Sequence, residues 1–409
     1  MTESTNTVKR DTAAQGTAVE VFGAFLKLGL TSFGGPIAHL GYFRTEFVER
    51  RHWLSDRSYS DLVALCQFLP GPASSQVGMA LGLGRAGWAG LLAAWAGFTL
   101  PSAVALILFA YGIAQYQDLA HSGLMHGLKI VAVAIVAQAV WGMAKSLCPD
   151  RPRAILAVVA ALLTLALPST TGQVAAIAMA GLFGWWRLKS VQSTGGEAHA
   201  YPVSRQLGIT ALLLFVAILV ALPLWAAATG SSTVALVEGV YRAGALVFGG
   251  GHVVLPLLQA TVVPDGIVSN TDFLAGYGAA QAVPGPLFTF TAYLGAVANG
   301  PLSGWTGGLV LLGVIFLPAL LVLVAVLPFW EALRHHRDIR SAMAGINAGV
   351  VGILLSALYD PVWTSAIHNR VDFGLALAAF VLLVYGRTPP AVVVLLTGAA
   401  GWLLTISAA

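Results

Sequence analysis

Two short strings carry most of the chemistry this chain can offer. Pro70-Gly71-Pro72 and Pro284-Gly285-Pro286 each stand inside an apolar stretch. Proline lacks a backbone N–H and glycine turns most freely, so neither triplet can continue a helix. Inside a bilayer, irregular backbone is tolerated only against protein or a wet cavity. The triplets therefore mark broken or re-entrant helices, and the first pair of half-helices is expected over about 58–69 and 72–83. The second proline of each triplet suits the first helical position, N1. Polar residues follow it: Ser74, Ser75 and Gln76 in one copy, Thr289 and Thr291 in the other. A helix N-terminus presents free N–H groups and a partial positive charge, which is an anion site. Gln67 and Gln281 precede the triplets, and Gly34-Gly35 and Gly249-Gly250, in the repeated Phe-Gly-Gly, join them as candidate substrate-binding residues with Lys27 and Arg242. Two such helix ends, related by a pseudo-twofold near the midplane, make an anion cradle.

The charges agree with an anion. Lys27 and Arg242 sit at matching places in apolar segments, and Lys129 is a third cation within such a segment, where the second half has Asn347. A cation within a membrane is costly and functional by default, although one near a helix end can snorkel to the interface. Glu20, Asp61, Glu238 and Asp272 fall near the ends of the expected helices, so the deep charges are basic. His39 and His252 could exchange protons near neutral pH, or serve as capping or interfacial residues. Cys66 and Cys148 supply neither a disulfide framework nor a metal set. No Walker A string, nucleophile–base pair, metal cluster or cofactor motif is present. The reading is a non-enzyme without cofactor or metal, working by secondary transport or with a driving partner. The basic residues lie in short loops, as orientation signals do, and do not point to nucleic acid.

The elements that position these residues must cross lipid. The chain is 57% hydrophobic and 9% charged, against about 25% charged in a soluble domain. Runs such as 210–228 and 307–327 approach the roughly 20 residues needed to span a bilayer, and they do not alternate as barrel strands would. Residues 1–16 read as a disordered cytoplasmic tail, 17–187 as a first repeat, 188–205 as a linker and 206–409 as a second repeat. The repeat shows in Lys27/Arg242, Gly29/Gly244, Phe33-Gly34-Gly35/Phe248-Gly249-Gly250, and Gln67 to Pro72/Gln281 to Pro286. Basic residues alternate in opposite phase. Arg44, Arg50, Arg51 and Arg57 follow the first Phe-Gly-Gly and none follows the second; 114–121 has none, whereas its counterpart has Arg334, Arg337 and Arg340. By the positive-inside rule the halves are inverted.

The fold class is an all-α integral membrane protein of two inverted repeats, with about 10–13 transmembrane segments including broken or re-entrant helices. Simple parity fails if every segment crosses, so one of the runs at 153–168, 172–187 or 206–229 is expected to break, tilt or stop short.

Phe33-Gly-Gly-Pro36 with His39, Gly41-Tyr-Phe43 and Trp53-Leu54, then Gln67-x-x-Pro-Gly-Pro72, Gln76 and Gly82, resembles the chromate ion transporter family. Phe248-Gly-Gly-Gly-His252 and Gln281-x-x-Pro-Gly-Pro286 resemble the second domain of its long members. The resemblance covers about 17–400. The second half has Gly251 where the first has Pro36. The resemblance implies efflux of chromate, or of a sulfate-like dianion, across the bacterial inner membrane, giving chromate resistance. It also implies drive from the membrane potential or proton gradient. The residues alone leave a sulfate or other oxyanion transporter, an anion channel and a non-transporting scaffold open. Alternating access is expected, with the two halves rocking about the site. A monomer of fused repeats and a homodimer are both compatible with the sequence.

Overall fold

The computed structural model describes residues 16–115, 123–188, 201–333 and 336–408. The expected tail before Gly16, most of the expected linker (189–200), the loop at 116–122 and Arg334 lie outside the described residues. The described residues are helical, with no strand among them. Five helices are long and apolar enough to cross a membrane.

The first half opens with α1 (Ala18–Thr31), α2 (Gly35–Phe43), a wider π-type turn (Arg44–Arg50) and α3 (Asp56–Phe68). The long α4 (Ala73–Gln115) breaks at Ala86 and Gly87, where φ is −143° and +63°. Three points of this chain meet at one end of the molecule. The Glu20 carboxylate lies 3.2 Å from Arg85 and 4.0 Å from Arg51, and Arg85 stacks on Trp53. Residues 17–85 thus form two hairpins that start and finish at the same end, with tips at Phe33-Gly-Gly and Pro-Gly-Pro. A helix such as α1, with 14 residues, is too short for the roughly 20-residue span, so the chain turns back. The break at Gly87 folds α4 on itself: a Cβ on Gly82 would lie 2.3 Å from the Gly90 carbonyl.

The second half repeats this with α9 (Ser232–Ala245), α10 (Val254–Val262), α11 (Asn270–Ala280) and α12 (Phe290–Val297), leading to α13 (Gly304–Val326). A Cβ on Gly295 would likewise run into the Gly307 carbonyl, and Asn299 N–H donates to the Ile267 carbonyl across the hairpin mouths. The second part of α4 and its counterpart α13 run antiparallel: Tyr111 meets Gly304 and Trp305, Ile107 meets Gly308, and Trp95 meets Phe316. Equivalent helices pointing in opposite directions make the repeats inverted, as the charge pattern predicts.

The remaining helices are α5 (Gly123–Leu147), α6 (Arg151–Ala166), α7 (Thr170–Arg187) and α8 (Arg205–Thr229), then α14 (Arg337–Ala357), α15 (Arg370–Val384) and α16 (Pro390–Ala408). The expected exception among the three late runs of the first half is not a break. Runs α6, α7 and α8 all form continuous helices. The segments that do not cross are the two hairpins. After them α4's second part, α5, α6, α7 and α8 run alternately between the two ends, an odd number of segments, so the second half starts at the opposite end. Arg44, Arg51, Arg57 and Arg85 at the first hairpin mouths share an end with Lys145, Arg151, Arg187, Arg205, Arg337 and Arg387. The other end holds Arg370 with Asp265, Asp360 and Asp372.

The halves are interleaved. α5 of the first half packs on α15 and α16 of the second, and α14 of the second packs on α6 and α7 of the first. Small residues make the approaches close. A Cβ on Gly127 would lie 2.4 Å from the Thr397 carbonyl, and one on Gly184 2.5 Å from the Ser341 carbonyl. Small residues let helix backbones approach in lipid, where packing drives association. The helices fall into two groups, the hairpins with α8 and α13 and the bundle of α5–α7 with α14–α16, joined where α11 packs on α5 and by a shared hydrophobic core.

Candidate functional site

All four breaks point to the middle. Gly71 N–H, in the first Pro-Gly-Pro, donates to the Val247 carbonyl beside the second Phe-Gly-Gly at 2.7 Å; Gly285 N–H, in the second, donates to the Ser32 carbonyl beside the first at 3.0 Å. Each half's triplet is therefore tied to the other half's glycine break. The glycines are required, with φ +115° at Gly71 and +105° at Gly285, a region costly to other residues. Their faces press on the opposite long helices beside the prolines Pro101 and Pro318. A Cβ on Gly71 would lie 2.7 Å from Ala319 Cβ, and one on Gly285 2.8 Å from Ser102 Oγ. Pro36 touches Gly251, its own repeat counterpart, so the pseudo-twofold axis passes between them.

A cleft opens between the first glycine break and the second triplet, lined by Gly34, Gly35, Pro36, His252, Gln281 and Gly285. His252 Nδ1 shares a hydrogen bond with the buried Tyr277 hydroxyl at 2.7 Å. The Gln281 Nε2 donors have no protein partner. On the first half's side, α4 begins at Ala73, with the Gln76 N–H donating to the Pro72 carbonyl. Pro72 is thus the N-cap and not N1, and Pro286 holds the same position before a 3₁₀ turn over Leu287–Thr289. The shift of one residue has a simple cause: proline can still offer its carbonyl as a cap. The N–H groups of Ala73, Ser74 and Ser75 are left as the free first turn. Ser75 Oγ and Ser32 Oγ are buried and unpartnered, so this region holds hydroxyl donors with nothing to bind. Buried polar groups normally find partners, and a bound oxyanion or water would satisfy these.

The other expected site residues fall as follows. Gln76 is wholly buried and clamps the break, its Nε2 donating to the Pro70 carbonyl at 2.9 Å and the Ala319 carbonyl at 3.2 Å. Ser74 Oγ lies 3.5 Å from the buried His39 Nδ1. Thr289 Oγ1 donates back to Pro286, Pro284 holds the second turn, and Gly249 and Gly250 form the second glycine break with φ +73° and +158°. Gln67 is exposed, so it and Gln281 are not equivalent.

Lys27 and Arg242 each meet an acid. Lys27 Nζ is 3.1 Å from Glu46, a carboxylate also held by Arg51 at 2.9 Å. Arg242 is 2.8 Å from Glu238. Each cation thus has an acid partner, Arg242 in a one-to-one pair and Lys27 sharing Glu46 with Arg50 and Arg51. Glu238 was findable, since it lies four residues before Arg242, where ion pairs form on a helix. Glu46 was hidden among the arginines of a stretch that reads as a loop. Tyr277, Pro36 and Ser32 also escaped the sequence reading, because only the folded chain brings them to the cleft.

The Chromate transporter family model matches residues 19–185 and again 234–402. The chain belongs to this family. It is 28% identical over 406 residues to the chromate transport protein of Pseudomonas aeruginosa, covering 94% of this chain and 92% of that one. It is 26% identical to the chromate transport protein of Cupriavidus metallidurans, covering 87% of this chain and 84% of that one. A probable chromate transport protein of Synechococcus elongatus is 25% identical, with 87% of each chain covered. No solved structure matches the chain.

Proposed function

We propose that this transporter-family chain exports chromate from the cytoplasm across the bacterial inner membrane and so confers chromate resistance. The observation that carries a transport reading is the cross-bonding of the two triplets to the opposite glycine breaks, with a cleft between the first glycine break and the second triplet into which the unpartnered Gln281 amide faces. A tetrahedral dianion needs many converging donors and little covalent chemistry, which is what helix ends supply. Family membership and the names of the relatives support chromate as the dianion. The basic end of the molecule is assigned to the cytoplasm by the positive-inside rule. With a negative interior, each negative charge moving out gains about 2.3 kcal/mol per 100 mV, and a dianion roughly twice that. Of the two histidines proposed for proton coupling, His252 is the one that lines the cleft.

The mechanism is alternating access, but not by rocking of the sequence halves. The exchange of α5 and α14 and the crossed Gly71 and Gly285 bonds hold the halves together. The hairpin body moving against the six-helix bundle is the relative motion the packing favours. Sulfate shares the shape and charge of chromate and is the second reading for the substrate. The test is chromate flux in everted vesicles, with sulfate as competitor and with potential and pH gradient collapsed separately. Uptake above empty vesicles that falls when the potential is collapsed supports the proposal. No uptake above empty vesicles sinks it.

A further inference from the structure

We propose that the Tyr277 hydroxyl fixes His252 as the neutral ring protonated at Nε2, and that this Nε2–H binds the transported oxyanion in the cleft. The inference rests on the oxyanion reading above, and it names a donor and the residue that positions it. His252 stands in the short turn Gly251–Val253 that follows the second glycine break, and it lines the cleft. Tyr277 lies on α11, four residues before Gln281, so the two side chains share a face of that helix. Gln281 lines the same cleft. Tyr277 is wholly buried, and its hydroxyl lies 2.7 Å from His252 Nδ1.

The direction of that hydrogen bond decides what the cleft is shown. A hydroxyl carries one proton and two lone pairs, and a neutral imidazole carries one proton on either nitrogen. Among the described residues the Tyr277 hydroxyl has no other partner. If Nδ1 carried the proton and donated, the Tyr277 O–H would be left buried without an acceptor, which folded proteins avoid. The O–H therefore donates to the Nδ1 lone pair, and the ring proton sits on Nε2. Nε2 has no partner among the described residues and, unlike His39 Nε2, is not sealed in. An N–H there attracts an oxyanion, whereas the other tautomer would present a lone pair and repel it. A second ring proton can enter only at Nδ1, where it would displace the Tyr277 bond, so His252 acts as a donor and not as a proton carrier. The residues lining the cleft include no charged side chain, so polar N–H groups are what meets an anion there. The arrangement is built in one half only. His39 is 1% exposed with its ring 5.2 Å from Phe98, and the counterpart of Tyr277 is Val63, which has no hydroxyl.

The experiment measures chromate uptake in everted vesicles, normalised to inserted protein. His252→Asn, whose amide reaches only the Nδ1 position, should raise KM about tenfold or more, as loss of one hydrogen bond to an anion does. His252→Gln, whose amide reaches the Nε2 position, should raise it less. Tyr277→Phe frees the ring to present its lone pair, and its readout is competition in alkaline buffer. Sulfate offers acceptors alone, whereas hydrogenphosphate, of equal charge and similar shape, carries one O–H that a lone pair would accept. Phosphate inhibition relative to sulfate inhibition should rise at least threefold in Tyr277→Phe, a change that loosened packing would not produce. Nitrogen-15 spectra of the histidine-labelled parent, with His252 assigned by its loss in a His252 variant, should show a protonated Nε2 and a bare Nδ1; this arm needs no active variant. A proton on Nδ1 in the parent, or an unchanged phosphate-to-sulfate ratio in Tyr277→Phe, overturns the role of Tyr277. A KM for His252→Asn within twofold of the parent overturns the role of His252. Absence of uptake by the parent chain overturns the oxyanion reading as well, which separates the two failures.

Discussion

Gly285→Ala is the most informative single substitution. A Cβ at φ +105° costs about 1–2 kcal/mol from backbone sterics alone. It would also stand 2.8 Å from Ser102 Oγ and 3.2 Å from the Phe98 carbonyl, and overpacking of that kind costs typically about 1–3 kcal/mol. Together the cost is about 2–5 kcal/mol, before any loss of the Gly285 N–H bond to Ser32. That is a large share of the roughly 5–15 kcal/mol by which a domain is stable. The chain relieves it by moving the tip, which spoils the cleft. Chromate uptake is expected to fall at least tenfold, with earlier melting in detergent. The 2.8 Å contact is removable: adding Ser102→Ala deletes Oγ and leaves contacts of 3.2 Å and above. The double variant should regain at least about 1 kcal/mol of the overpacking cost and part of the flux, while the backbone cost stays. Thermal melts of the four proteins in the cycle, with flux beside them, measure the coupling. Additive effects of the two substitutions would refute the steric account, and parent-like flux in Gly285→Ala would refute the role of the tip.

Three further outcomes follow from the packing. Glu46→Gln leaves Lys27 and Arg51 without their carboxylate and should destabilise by about 1–3 kcal/mol. Lys27→Gln, at a half-exposed position, should cost under about 1 kcal/mol and leave uptake within twofold; melting curves and flux check both. Gly127→Val and Gly184→Val each drive a side chain into a facing backbone carbonyl and should both abolish stable protein on gel filtration. Gly398→Ala, which meets only the end of Leu124, should be tolerated. For the moving bodies, cross-linking Gly181→Cys to Ile346→Cys joins two halves within one body and should preserve uptake. Cross-linking Gln173→Cys to Pro256→Cys, which joins the bundle to the hairpin body at the site of a 3.1 Å bond, should arrest it. Arrest by both would return the motion to the sequence halves.

The helix breaks, the repeat and its inversion could be read from the chain because each obeys a local rule. Pro-Gly-Pro cannot be helical whatever surrounds it, and the turns at 70–72 and 284–286 follow from that. Basic residues in alternating loops report sidedness without any knowledge of packing. Lys27 shows where local rules stop. Its partner Glu46 is nineteen residues away, on a segment whose return toward α1 depends on the Phe33-Gly-Gly turn. Which segments cross could not be read for the same reason: hydropathy measures how apolar a segment is, not whether it crosses or turns back. The one-residue shift of the helix starts to Pro72 and Pro286 as N-caps lies within the usual uncertainty of a helix end.

The sequence by itself determined the solvent of this protein, the positions of its two Pro-Gly-Pro breaks and the antiparallel sense of its halves. These depend on composition and on the backbone chemistry of proline and glycine. Only the tertiary structure decided that α5 and α14 change places, that Gly71 and Gly285 bond across the pseudo-twofold, and that the symmetric repeat forms one cleft. Each of these needs contacts between residues more than a hundred positions apart. Such contacts are selected by the shape of the packed whole, where Pro36 meets Gly251 and two similar tips cannot be filled alike.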